Sequence, residues 1–282
     1  MTKHYTDLHL NNDIDRFNLI KSKYENLALS SFEWQNLPYG IKSHHIERAL
    51  YQYGQAVFYN SKDYGLLCLP CSNGGKLNVY GSPLKVIATG YGFTEMVDLK
   101  AAIRIKNNPK AQPTEMFINQ YAKDMLVVEE SLKANIKQQR FPYAFFCDEK
   151  TRLSMMNIYK KIENGEPVIY LNKDLSMEDI QFFNTTAPYV ADKLRQERYE
   201  LEREILTFLG LNNTVEKEER LLVDEINSNN DFIERNVELM FKNRQFACNK
   251  INEMLGTNIR VVKCSSVKQK DDKEKQKGGE NE

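Results

Sequence analysis

The sequence predicts an α+β fold, on three observations. Several long stretches repeat apolar residues every three or four positions, the spacing of an amphipathic helix. Between Gln55 and Lys106 that spacing gives way to short apolar runs separated by Gly, Pro, Asn and Asp, the mark of a small antiparallel sheet or barrel. The chain has 282 residues, 41% hydrophobic and 28% charged, ordinary globular values that allow a large core and about two domains.

The first helix is expected over Asn11–Asn36, with Ile14, Phe17, Tyr24, Leu27 and Trp34 on its apolar side, Asn11 or Asn12 as cap, and Pro38 and Gly40 as stop. A shorter helix follows over Ser43–Tyr53, ended by Gly54, with Ile46, Leu50 and Tyr53 facing inward. Strands are expected at Ala56–Tyr59, Leu66–Leu69, Leu77–Tyr80, Leu84–Thr89 and Ala101–Ile105, with turns at Lys62–Gly65, Asn73–Gly75, Gly81–Pro83 and Gly90–Gly92.

Pro113 sits at a first helical turn, where its missing N–H costs nothing. The stripe Phe117, Tyr121, Met125, Val128, Leu132 and Ile136 follows it. Next come a strand at Phe141–Cys147, a helix at Glu149–Glu163, a strand at Pro167–Leu171 and a short helix at Ser176–Phe183. The third long helix runs from Thr186 to Gly210 on Val190, Leu194, Leu201, Ile205 and Phe208. Beyond it the segment Asn227–Asp231 reads as a polar loop, followed by a fourth helix to Leu255 and a strand at Asn258–Val262. Lys263–Glu282 is mostly Lys, Glu, Asp, Gln and Gly and is expected to be disordered.

Composition excludes several classes. The 39 basic and 39 acidic residues cancel, unlike the basic excess of proteins that wrap nucleic acid non-specifically. No run approaches the ~20 apolar residues of a membrane span, and Met1–Asp7 lacks signal-peptide character, so synthesis in the cytoplasm is expected. The five cysteines, Cys68, Cys71, Cys147, Cys248 and Cys264, are odd in number and scattered, as free thiols are. The 15 Tyr and 14 Phe exceed what one small core needs, and such residues enrich protein interfaces.

No motif for bond chemistry stands up. Cys68-Leu-Pro-Cys71 has metal-like spacing but no second ligand pair, and it lies at a strand end rather than at the helix N-terminus that activates a redox pair. His44 and His45 point about 100° apart on a helix and cannot share one ligand. The run from Asn227 to Glu238 imitates a calcium loop until its sixth position, where Phe232 stands instead of the turn-making glycine. Gly90 and Gly92 lack the third glycine and the following helix of a dinucleotide fingerprint. No catalytic, cofactor or metal residue is therefore expected. The third helix, with Asp192, Lys193, Arg195, Glu197, Arg198, Glu200, Glu202, Arg203 and Glu204, stands out for its mixed charge; such a run is commonly a solvated face.

Two blocks near the N-terminus, Ser31–Pro38 and Ile46–Tyr59, resemble the head–tail connector (portal, or upper collar) proteins of small short-tailed phages with protein-primed DNA. The resemblance returns at Thr186–Leu194, Thr207–Leu211, Glu216–Arg220, Asp224–Asn229 and Ala247–Leu255, in the same order and at similar spacing; Lys62–Ile162 matches only in pattern.

The resemblance implies a portal-type fold with long stem helices, a small antiparallel β wing module and a helical C-terminal crown. On that reading residues 1–54 are an N-terminal arm and stem helices, and residues 55–185 a wing with a small β barrel and helices. Residues 186–262 form the channel helix, channel loop and crown, and 263–282 a charged tail. It also implies a ring of twelve subunits at one capsid vertex, with double-stranded DNA in its channel. Its implied partners are a packaging ATPase, major capsid and scaffolding proteins, and a lower collar or tail protein. The channel residues would be Lys193, Arg195, Arg198 and Arg203, with Asn227, Ser228, Asn229, Asn230, Asp231 and Arg235 from the loop and the helix after it.

The N-terminal arm departs from the family pattern. There it is strongly basic and binds a packaging RNA; here Lys3, Arg16, Lys21 and Lys23 are offset by Asp7, Asp13, Asp15 and Glu25. Direct contact with the ATPase is expected instead. Rival readings from other classes are a soluble nucleic-acid-binding module and an enzyme using Cys68 and Cys71.

Overall fold

The structure, a computed structural model, describes residues 3–140, 143–146, 152–153, 156–157, 160, 181–184, 188–211 and 223–264. The chain forms two compact units, one of Met1–Leu126 with Tyr199–Glu282 and the other Val127–Arg198.

In the first unit, helix α1 runs over Lys3–Leu29, so Asn11 and Asn12 lie inside it rather than capping it. It ends well before Asn36. The hydroxyls of Ser30 and Ser31 both donate to the Leu27 carbonyl, at 3.1 and 2.9 Å, and close the last turn. The chain then becomes strand β1, Phe32–Gln35, whose alternating burial places Phe32 and Trp34 inward. Trp34 is thus a strand residue; a Phe-x-Trp alternation has the period of a half-buried strand. Strand β9, Arg260–Lys263, pairs antiparallel with β1, Trp34 opposite Val261 and Phe32 opposite Lys263. Lys263 therefore belongs to a strand, not to the tail.

Helix α2 spans Ser43–Tyr53 as expected, and Gly54 caps it in the left-handed region at φ +73°. Its inward residues are Ile46, Ala49, Leu50 and Tyr51, while Tyr53 is exposed. The sheet follows, in the order β5-β4-β3-β2-β6 and antiparallel throughout. Its strands are β2 (Gln55–Ser61), β3 (Gly65–Leu77), β4 (Pro83–Gly90), β5 (Phe93–Asp98) and β6 (Ala102–Lys106).

Two sequence expectations shift here. Asn73–Gly75 is an irregular stretch within β3, not a turn, because the register with β4 slips between Gly74 and Leu77. The chain instead turns at Asn78–Ser82, so the strand expected at Leu77–Tyr80 is only the end of β3 at Leu77, and Phe93–Asp98 is a strand that was not expected.

Although one side of β4 and β5 is largely exposed, both faces of the sheet carry buried residues. One, with Ala56, Phe58, Cys68 and Ile105, packs with Trp34, Ile46, Leu50, Ile251 and Ile259. The other gathers Val57, Tyr59, Cys71, Val86, Ala88, Val97 and Ala102. A third cluster joins Ile20 and Tyr24 of α1 to Tyr51, to Ile118, Ala122 and Met125 of helix α3 (Thr114–Arg140), and to Ile205 and Leu209 of helix α4 (Ala191–Leu209). The unit boundary falls within α3 and α4.

Helix α5 covers Val223–Leu255 without a break. Asn227, Ser228, Asn229, Asn230 and Asp231 are therefore helical, not a loop. Each costs only about 0.5–0.7 kcal/mol relative to alanine, no Gly or Pro interrupts the run, and the packed half of the helix, Val237–Ile251, carries it.

The second unit holds the ends of α3 and α4 and the antiparallel pair β7 (Tyr143–Phe146) and β8 (Gln181–Asn184). Gln181–Phe183 is thus strand where a helix was expected, and the third long helix starts at Ala191 rather than Thr186. Arg152, Leu153, Met156, Asn157 and Lys160 are helical, as expected of Glu149–Glu163. The strand expected at Pro167–Leu171 and residues 265–282 of the tail lie outside the described residues.

Candidate functional site

The entry of α4 is set by one side chain. Asn135 of α3, buried, donates to the Pro188 carbonyl at 2.9 Å and accepts from the Val190 N–H at 3.1 Å. Both halves of the amide are used, so the chain is held at the point where helix begins. In the same unit Arg198 reaches Glu129 of α3 at 3.2 Å, whereas Asp192, Lys193, Arg195, Gln196 and Glu197 are exposed.

Further along α4, in the first unit, Glu202 turns toward α1, where Lys23 and the Tyr24 hydroxyl donate to it. Lys21 pairs with Glu115 of α3, and Arg203 with Glu200 at 3.0 Å. The four cations expected to line a channel thus divide. Arg198 and Arg203 are half-buried and tied to carboxylates of the same chain. Lys193 and Arg195 are exposed and meet no carboxylate among the described residues. On a helix those two point about 200° apart, so they cannot form one patch within a subunit. Arg235, in α5, is exposed.

The feature that sequence reasoning missed is a buried polar hub. Arg244 of α5 lies on that helix's apolar stripe, between Met240 and Cys248, and its guanidinium uses all five N–H groups. Nε and one Nη2 hydrogen go to the two oxygens of Glu47, at 2.9 and 2.7 Å. The other Nη2 hydrogen goes to Asn107 Oδ1 at 3.0 Å, and Nη1 reaches the carbonyls of Met240 at 3.1 Å and Asn107 at 3.4 Å. Trp34 Nε1 donates to Glu47 at 2.8 Å, and the Phe32 ring lies 4.2 Å under the guanidinium. The signal was present in the sequence: a charged residue in register with Val237, Met240, Phe241, Ala247 and Ile251 has to be satisfied from inside.

Gly54 completes this region. Its carbonyl accepts from Asn107 N–H at 2.9 Å, and a Cβ there would stand 2.2 Å from the Ala111 carbonyl oxygen. Asn107 also donates to Thr114 Oγ1 at 2.9 Å, so the hub fixes the start of α3.

The cysteine pair is not a site. Residues three apart on a strand face opposite ways, and Cys68 and Cys71 fall in different cores. Burial pushes both thiols up, Cys71 to about 12. His44 and His45 are exposed at the start of α2, and His45 is held below its ordinary pKa by partial burial and then by neighbouring His44, Lys42 and Arg48. No cluster of three potential metal ligands occurs among the described residues.

Among protein families, the model described as Phage Connector (GP10) matches residues 3–268. Among solved structures, a chain from the portal and tail of native bacteriophage P68 is 15% identical, covering 98% of this chain and 97% of that one, with a TM-score of 0.49. A chain from the virion of a native gene transfer agent particle is 13% identical over 93% and 83%, with a TM-score of 0.42. An HK97-family phage portal protein from Corynebacterium diphtheriae is 10% identical over 86% and 91%, with a TM-score of 0.51, a likeness of fold.

Proposed function

The chain belongs to the phage connector family and is a portal, or head–tail connector, protein of the virion, and we propose that it works as a homododecameric ring. DNA enters the capsid and leaves it through the central channel, and the same ring joins the head to the tail. The observation that carries this reading is the family match over residues 3–268, which spans α1, the sheet, the long helices and β9. The packaging ATPase, capsid and scaffolding proteins and a lower collar protein are its partners on this reading. The charge-balanced N-terminal arm favours a direct contact with the ATPase over a packaging RNA.

The channel contribution rests on Lys193 and Arg195. In a twelve-fold ring each becomes a belt of twelve cations beside a duplex with one phosphate about every 1.7 Å of axis. Asp192 and Glu197, exposed beside them, keep the attraction shallow, so DNA slides. The N-terminal part of α5, Asn227–Asp231 with Arg235, approaches the lumen as a helix. A flexible loop acting as a check against slippage has no loop there to work through.

The ring does no bond chemistry on this reading. The Cys-dependent alternative would need a thiolate, and the surroundings of Cys68 and Cys71 disfavour one. Electron microscopy of the purified full chain tests the proposal. Ring particles with a central hole and twelve-fold averages are expected, and a monomer that persists at micromolar concentration overturns it. K193E/R195E rings are expected to assemble but to package DNA more slowly; unchanged packaging removes these residues from the channel.

A further inference from the structure

A closed ring needs two different patches on every subunit, one for each neighbour, because a head-to-tail contact joins unlike surfaces. We infer that the tip of the β3–β4 hairpin of one subunit docks on the outer face of α1 of a second copy; the inference rests on the ring reading above.

The hairpin tip is apolar at its centre and basic at its rim. Val79 and Tyr80 are 94% and 90% exposed, and Leu77 and Leu84 flank them in the open. Lys76, Lys85 and Lys100 lie at or beside this tip, all exposed, and their ammonium groups meet no carboxylate among the described residues; Asp98, opposite Lys85 in the sheet, accepts only the Lys100 backbone N–H, at 2.9 Å. Such a mix of an apolar anchor with a charged rim suits a protein partner. The tip is also rigid. Asn78 Oδ1 accepts from the N–H groups of Tyr80 and Ser82, both at 2.9 Å, and Asn78 N–H donates to the Ser82 carbonyl at 2.8 Å. A turn held in this way loses little entropy on docking.

The face of α1 is the complement. Asp15 and Leu19, four apart, share one face of the helix; Leu19 is 73% exposed, Ile14 borders this face at 55% exposed, and Asp15 has no partner among the described residues. The cations of α1 nearest it do not offset it, because Lys21 is held by Glu115, Lys23 by Glu202, and Arg16 is engaged within the chain. One patch therefore presents apolar side chains with free ammonium groups, the other apolar side chains with a free carboxylate. Opposite charge around a matched apolar contact sets register and excludes the like-with-like pairing that would stop a ring from closing. The four exposed apolar residues at the tip, and the absence of arginine there, favour a protein over a phosphate backbone.

Charge reversal in the full-length chain tests this. K85E/K100E is expected to lower the ring population at a fixed subunit concentration at least tenfold, and D15K to lower it severalfold. All these side chains are exposed, so circular dichroism and the thermal midpoint stay at wild-type values. Combining the three changes is expected to bring the ring population back to within threefold of wild type, and V79S/Y80S, which leaves every charge in place, is expected to lose rings. Hairpin variants that form rings like the wild type overturn the inference, as does a combined variant with no recovery. Hairpin variants that keep their rings but lose affinity for a short DNA duplex overturn it in favour of nucleic acid. A wild-type chain that forms no rings overturns the ring reading and this contact together.

Discussion

Arg244 and Glu47 stand 197 residues apart in the chain, yet they share two hydrogen bonds of 2.9 and 2.7 Å with both side chains almost fully buried. The guanidinium is saturated, and Trp34 engages the carboxylate from another side, so the desolvation of both charges is met by good geometry. Removing one partner leaves the other charged and unpaired. R244A is expected to cost about 3–5 kcal/mol in urea unfolding, and E47L/R244M to recover only part of it, because Trp34 Nε1 and Asn107 Oδ1 then lose these partners. A loss of under 1 kcal/mol in R244A would show the hub to be incidental.

Gly54 is the second test. Any side chain there meets the Ala111 carbonyl oxygen, and the left-handed backbone disfavours a Cβ on its own account. The conformational part is about 1–2 kcal/mol and the forced repacking about 1–3 kcal/mol, so G54A is expected to lower stability by about 2–5 kcal/mol. Thermal unfolding reads it. G65A serves as the control, since Gly65 has the same sign of φ and open space around it.

The cysteines predict an order of labelling. Cys264 is exposed, whereas Cys68, Cys71 and Cys248 are buried. At pH 8 a thiol titrating at about 12 carries roughly a thousandth of the thiolate of an ordinary one near 9, before access is considered. Iodoacetamide with peptide mapping should modify Cys264 in the folded protein and the other three only in denaturant. Early labelling of Cys71 would contradict the buried second core.

Glu238 predicts a pH dependence. It accepts from Lys263 at 2.6 Å, which fastens β9 to α5, and this hydrogen bond, with the charges of Lys263 and Lys242, outweighs a small burial penalty and holds its pKa below the ordinary glutamate value. A lowered carboxylate pKa means stability that is present above the unfolded-state value and lost as pH falls through the folded one. The difference in thermal midpoint between wild type and E238Q should therefore shrink as pH falls from 6 toward 3. A difference constant over that range would mean that the pair contributes nothing.

Where one period dominated, the sequence was readable. The α2 helix with its glycine cap, the helix after Pro113 and the strand at Arg260–Lys263 stand within a few residues of expectation, because caps, proline and periodicity all pointed the same way. The misreadings have local causes. Trp34 continues a three-and-four spacing by coincidence, and the serines that end α1 act through side-chain hydrogen bonds that composition does not display. Asn227–Asp231 looks like a loop because asparagine favours turns, but propensity yields to a helix whose other half is packed. Of the candidate channel cations, charge alone could not separate Arg198 and Arg203, paired at home, from Lys193 and Arg195. That distinction depends on Glu129, 69 residues away in the chain, and on the turn that brings Glu200 beside Arg203.

The hub also carries a timetable. A ribosome adding about 5–20 residues per second releases Glu47 and Trp34 roughly 10–40 s before Arg244 exists to receive them. The strand that covers Trp34 arrives later still, with Arg260–Lys263. Until then the emerging chain holds an acid without the base it pairs with and an aromatic strand without its partner strand, so this core is completed last. A prematurely terminated chain lacks the same pieces and cannot complete this hub. Subunits that complete the hub are in this way the finished ones, a useful property if, on the ring reading proposed above, one defective copy would spoil the bore.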